Sequence, residues 1–157
     1  MSMQSYDEAV TILAKYPEIG FFAGPRQESL IQAAERKLGL RFPSTYRRFL
    51  LEFGAGNVGS DEILGVIHED FDESGVPDAV WYTIRQRQQV NLPHNLVVIY
   101  EVGDGELFCL DLAMMKNNEA PIVAYQPGYP PEEQLKEIIA KDFGDFLLEL
   151  VQRKINA

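Results

Sequence analysis

The chain has a single cysteine, Cys109, among its 157 residues. No intramolecular disulfide can therefore form, and a zinc site would have to draw on other ligands. Histidine is nearly as scarce, with only His68 and His94 present. Any chemistry that depends on imidazole must use one of those two. Long apolar runs are missing too: nothing approaches the roughly eighteen consecutive apolar residues that a membrane-spanning helix needs. The stretch from Met1 to Ala9 contains acidic residues and no basic cluster ahead of an apolar run, so it does not read as a secretory signal. These absences predict a cytoplasmic setting and no membrane partner. Basic residues are absent from two long stretches, one between Arg48 and Arg85 and one between Arg87 and Lys116.

What is present is ordinary for a globular chain. Apolar residues make up 46% and charged residues 24%, so a core can be buried and global disorder is excluded. The length suits one domain, and no repeat or Gly/Pro/Ser-rich linker divides residues 1–157. The formal net charge of −10 disfavours nucleic acid and anionic surfaces and favours encounter with a basic protein.

Periodicity and caps predict an α+β fold, a twisted and mostly antiparallel sheet flanked by N-terminal helices and a C-terminal helix. Ser5 and Glu8 have capping-box spacing for a first helix to about Lys15. Phe21 to Arg26 reads as a connector. A second helix spans about Glu28 to Leu38, with Gly39 as its C-terminal cap. Ser44 is placed to cap a third helix whose buried stripe is Tyr46, Phe49, Leu50 and Phe53. After a glycine-rich turn come a strand at Ile63 to Ile67, an acidic loop, and a helix capped by Asp78. Strands follow at Leu96 to Val102, Glu106 to Leu112 and Ile122 to Tyr125. Asp104-Gly105 reads as a two-residue hairpin turn. The apolar run Leu96 to Tyr100 suggests a central strand covered on both faces. A last helix starts at Asp142.

Several segments approach known chemical motifs and then depart from them. Gly54, Gly56 and Gly59 match the dinucleotide-binding glycine pattern, but a helix precedes them and Ser60-Asp61-Glu62 follows, where phosphate would be repelled. Asp70 to Asp78 resembles the start of a calcium loop, with oxygen ligands in step and Gly75 at the sharp turn. Its twelfth position is Trp81 where a bidentate glutamate is required. His68-Glu69 lacks the second histidine of a helical zinc site, and neither histidine accompanies a nucleophile elbow. Cys109 lies inside an apolar strand and reads as an inert buried thiol. The sequence thus predicts no catalytic residue, no metal site and no cofactor.

Charge distribution is more informative. The first stretch without lysine or arginine contains Glu52, Asp61, Glu62, Glu69, Asp70, Asp72, Glu73 and Asp78; the second contains Glu101, Asp104, Glu106 and Asp111. A solvated face accounts for many such runs. If the acidic loop and the hairpin share one side of the sheet, they form a negative surface that speeds docking of a basic partner. The candidate partner-binding residues are Asp61, Glu62, Glu69, Asp70, Asp72, Glu73, Asp104 and Glu106.

The segment from Ile31 to Gly56 contains Glu35, Leu38-Gly39, Phe42-Pro43, Tyr46, Phe49-Leu50 and Phe53-Gly54. In that order and spacing it resembles the N-terminal signature of the SUKH superfamily. Ile63-Leu-Gly65, Leu96 to Tyr100, Phe108 to Asp111, Pro121-Ile-Val and Asp142 to Leu147 continue the resemblance, which extends from about residue 28 to 150. It implies an α+β fold with a twisted sheet flanked by helices, and it brings no catalytic residues. Bacterial members are implied to be immunity proteins that neutralise polymorphic toxins, often nucleases or deaminases, by direct binding. Fungal relatives, the Smi/Knr cell-wall regulators, act as interaction hubs. Two departures stand out: the Gly-Ala-Gly turn after Phe53, where Asn-Gly-Gly is commoner, and an individual loop from His68 to Pro77.

The leading expectation is a non-catalytic immunity or antitoxin protein that binds a basic toxin through an acidic face. A small-molecule- or peptide-binding regulatory module is the alternative, with Trp81, Tyr82 and Tyr129 near its pocket. An enzyme using His68, Cys109 or Asp111 ranks third.

Overall fold

The computed structural model describes residues 2–134 and 137–156. Helix α1, Ser2–Lys15, begins ahead of Ser5, so the expected capping pair lies inside the helix and does not open it. Tyr6, Ala9 and Leu13, spaced along one face of α1, are buried. A short 3-10 turn at Pro17–Ile19 leads to strand β1, Gly20–Phe22. Helix α2, Glu28–Leu38, ends as expected at Gly39, whose φ of 75° lets its N–H reach the carbonyls of Glu35 and Arg36. The Glu35 carboxylate accepts the Phe42 N–H at 2.8 Å and pairs with Arg47, fixing the connection into helix α3, Ser44–Phe53.

The start of α3 differs from expectation. Pro43 occupies the cap position, and no hydroxyl of Ser44 serves the helix. The Ser44 N–H donates to Asn118 O, and the Thr45 N–H and hydroxyl donate to the two oxygens of Glu119 at 3.0 and 2.9 Å. Asn117 and Asn118 both have positive φ in a tight turn, closed by mutual backbone bonds between Lys116 and Glu119. The Thr45 hydroxyl oxygen also accepts the Gly144 N–H at 3.1 Å, tying the first turn of the last helix to the same point.

The glycine-rich segment after α3 is strand β2, Gly56–Val58, followed by β3, Asp61–Ile63. With β1 these form a three-stranded antiparallel sheet, Phe21 opposite Asn57 and Asn57 opposite Glu62. The strand expected to run to Ile67 stops at Ile63, and Gly65 makes only a single bridge to Asp78. Asp78 caps helix α4, Ala79–Val90, accepting the N–H groups of Val80 and Trp81.

Strands β4 (Leu96–Glu101), β5 (Leu107–Asp111), β6 (Ile122–Tyr125) and β7 (Ile138–Ala140) form a second antiparallel sheet in chain order. Strand β4 therefore lies at its edge, not at its centre. The edge is partly closed: Leu64 N–H donates to Ile99 O at 2.9 Å, and Val98 N–H donates to Thr83 Oγ1 of α4 at 3.0 Å. Both faces are covered, as the apolar run implied. Val97, Ile99, Leu110 and Ile122 join a core with Tyr46, Phe49, Phe143 and Leu147. Leu96, Val98, Cys109 and Tyr125 join a second cluster with Ala79 and Leu92. The β4–β5 hairpin is longer than a two-residue turn: Val102 N–H bonds to Glu106 O, and Gly103 and Gly105 carry the positive φ. Asp104 contributes its carboxylate instead, accepting the Glu106 N–H at 3.0 Å.

Helix α5, Phe143–Ile155, is capped by Asp142, whose side chain accepts the Asp145 N–H, and it packs alongside α1. The architecture is α+β, with helices flanking two antiparallel sheets.

Candidate functional site

The eight candidate acids fall into two groups. Asp61 and Glu62 lie on β3 and line a cleft of about 360 Å³ together with Tyr82, Tyr100, Glu101 and Val102. Gly103 of the hairpin loop also lines it; Asp104, the next residue, is exposed and Glu106 is half-buried, and neither is in the lining. Glu69, Asp70, Asp72 and Glu73 belong to the loop between β3 and α4, and all four are exposed. That loop leans on α2, where Lys37 approaches Asp72 to 3.2 Å. It reaches the cleft at Leu64 and Val76, and none of its four acids lines it. The structure thus joins the β3 acids to Glu101 and the start of the hairpin loop, and leaves the four loop acids outside the cleft.

Two tyrosines fix the cleft. The Tyr100 ring sits 5.4 Å from Phe108 and 5.7 Å from Phe146, and its hydroxyl donates to Asp61 Oδ1 at 2.6 Å. Tyr82 projects from α4, and its hydroxyl donates to Glu101. Burial, and then the bond to Asp61, pushes the Tyr100 phenol up to about 12. Burial and Glu101 raise Tyr82 as well. Both phenols therefore remain donors at neutral pH, and each holds one carboxylate in place at the cleft wall. Glu101 was absent from the candidate set although it lies in the second acidic stretch. Its role follows from Tyr82, which is distant in sequence and carries no local signal.

The near-miss motifs have structural reasons. A Cβ on Gly54 would meet Gly24 O at 2.6 Å, and one on Gly56 would meet Phe21 O at 2.3 Å. These glycines let β1 and its connection approach the end of α3; they do not open a cradle for phosphate. In the calcium-like loop the carboxylates diverge. Asp70 accepts the Glu73 N–H, Asp72 faces Lys37, and Asp78 is buried as the α4 cap. Among the described residues no group of three His, Cys, Asp or Glu is positioned to hold a metal ion, and no helix is long and apolar enough to cross a membrane.

His68 and His94 are exposed, while Cys109 is fully buried. Burial, then the Asp111 charge, pushes the Cys109 thiol up, which disfavours the nucleophilic thiolate. The folded protein is expected to leave Cys109 unlabelled by a charged maleimide, with labelling appearing only in denaturant. Rapid modification of the native protein would contradict this packing.

The aromatics of the alternative reading also separate. Trp81 and Tyr82 are neighbours on α4, and the Arg85 guanidinium lies 5.1 Å from the Trp81 ring centroid. Tyr129 is 56% exposed and lines a different and larger cavity at the other end of that helix.

The fold is similar to that of a solved protein from Pseudomonas syringae pv. tomato, with a TM-score of 0.54 at 15% identity. The match covers 74% of this chain and 82% of that one. At that identity the likeness concerns the fold alone. Residues 28–147 match the family model SUKH_6, described as SMI1-KNR4 cell-wall, and the chain belongs to this SUKH family.

Proposed function

We propose that this chain is a non-catalytic binding protein of the immunity type, neutralising a basic toxin domain by docking it against the acidic cleft. Family membership supports the class of function, and the cleft supports the sign of the partner. The carrying observation is the convergence of Asp61 and Glu62 on β3 with Glu101 and the Asp104 hairpin around one opening. Asp61 and Glu101 are held by tyrosine hydroxyls, so part of the negative surface is set before a partner arrives. Such preorganisation limits the ordering cost of docking, and the field steers encounter. Binding alone suffices for neutralisation when the partner's active face is occluded.

The test uses the toxin domain encoded beside this gene. Wild-type protein should capture it and protect cells that express it. The double variant Glu62→Lys, Asp104→Lys leaves both tyrosine contacts intact and should weaken binding by at least about tenfold for each charge reversed. Association should also slow as salt is raised. Absence of capture and of protection would end the reading, and unchanged affinity in the double variant would remove the cleft from it.

A further inference from the structure

We propose that the cavity at the C-terminal end of α4 binds an organic cation carried on an apolar stem, the chemistry shared by an arginine or lysine side chain and a free alkyl amine. It shares no lining residue with the acidic cleft and goes beyond the docking role above. The cavity measures about 530 Å³. That is within the roughly 300–1,000 Å³ usual for small-ligand sites.

Its floor is apolar sheet, Leu96 and Val123, and its outer wall is the segment after β6, with Tyr129 and Pro130. Three features point to the ligand. Tyr125 lines the cavity while only 8% exposed, and its hydroxyl has no hydrogen-bond partner among the described residues. Asp111 also lines it: Oδ1 accepts Asn95 Nδ2 at 2.8 Å and the Ala113 N–H at 3.1 Å, which leaves Oδ2 without a bond among the described residues. Asp111 is the one charged residue in the described lining, with no Lys, Arg or His to neutralise it.

An anion would be repelled here, and a wholly apolar ligand would leave the carboxylate oxygen and the phenol without partners. A cationic head pairs with the Asp111 oxygen at one end of the cavity, its stem covers the aliphatic floor, and Tyr125 and Tyr129 bound the remaining wall. The outer wall is already in place. Gln134 accepts the Gln126 N–H at 2.9 Å and donates to Gln126 O and Tyr129 O at 2.7 and 3.0 Å, so little ordering is required on binding.

The test is an NMR titration of the ¹⁵N-labelled full chain with n-butylguanidinium, n-butylammonium and the neutral n-butanol. Both cations should shift the amides of Asp111, Ala124 and Tyr125 saturably, at least about tenfold more tightly than butanol. Asp111→Asn keeps an acceptor for Asn95 and Ala113, and should abolish the preference for cations while sparing butanol. Tyr125→Phe should weaken both cations several-fold, and it provides the comparison if the Asp111 variant does not fold. A capped tripeptide with central arginine distinguishes the sources: binding tighter than n-butylguanidinium assigns the site to a protein side chain, and weaker binding assigns it to a free amine. The proposal is overturned if butanol binds as tightly as the cations, if their shifts are confined to the acidic cleft, or if they survive unchanged in Asp111→Asn or Tyr125→Phe.

Discussion

Gly65→Ala is expected to destabilise the protein by about 3 kcal/mol or more, at the upper end for one added methyl group. An alanine Cβ there would stand 1.8 Å from Gly54 O and 2.8 Å from Gly54 C. Neither atom can retreat cheaply. Gly54 O accepts the Val66 N–H, while Gly65 itself donates to Pro77 O and accepts from Ala79 N–H. Relieving the clash must therefore break a junction between the end of α3, the β3 segment and the start of α4. Gly75→Ala is the control. Nothing lies within 4 Å of its Cβ, and its backbone requires no positive φ. It should change stability by less than about 0.5 kcal/mol. Urea midpoints for the two variants decide the matter, and equal midpoints would refute the packing account.

Thr45→Val should cost about 2–4 kcal/mol, although valine has nearly the same shape. The hydroxyl both donates to Glu119 and accepts the buried Gly144 N–H, so its loss leaves a carboxylate oxygen and an amide without partners. The deficit should depend on pH. Burial raises the Glu119 pKa above the usual 4.5, and the hydrogen bonds from Thr45 pull it back down. For a carboxylate raised in the folded state, the favourable contribution is complete below about 4.5 and is lost as pH climbs through the folded value. Removing the hydroxyl raises that folded value further. The gap between variant and wild type should therefore widen from about pH 4.5 upward and narrow in acid. Chemical denaturation from pH 4 to 7 measures it; a constant gap would mean that Glu119 is not the group involved.

What could be read from the sequence followed the reach of each interaction. Helices α2, α4 and α5 announce themselves because cap and stripe lie within a few residues: Gly39, Asp78 and Asp142 all act where periodicity put them. Strands β1, β2 and β7 have three residues each, too few for alternation to register, and exist because a partner strand supplies their bonds. Ser44 looked like a cap because caps are usually local. The actual cap, Glu119, is supplied from a turn more than seventy residues away. The site shows the same division. That acids cluster along the chain was visible, but which acids meet was decided by Tyr82 and Tyr100 and by Lys37 drawing Asp72 toward α2. Tyr125 and Asp111 gave no sign of sharing a cavity, since they lie toward opposite ends of the β5–β6 pairing and one space extends over both.

The side-by-side packing of α1 and α5 has a consequence for biosynthesis. The face of α1 bearing Tyr6, Ala9 and Leu13 leaves the ribosome well before α5, the helix that packs beside it. Until α5 emerges, that apolar stripe has only the partial cover of α3, whose Glu52 and Arg48 hold Tyr6, and the rest relies on transient collapse or chaperones. Closure then joins the first and last described helices, which are far apart in sequence, and this slows the final folding step relative to a fold of neighbouring elements. The supply of folded protein is then set in part by how quickly this last helix finds the first.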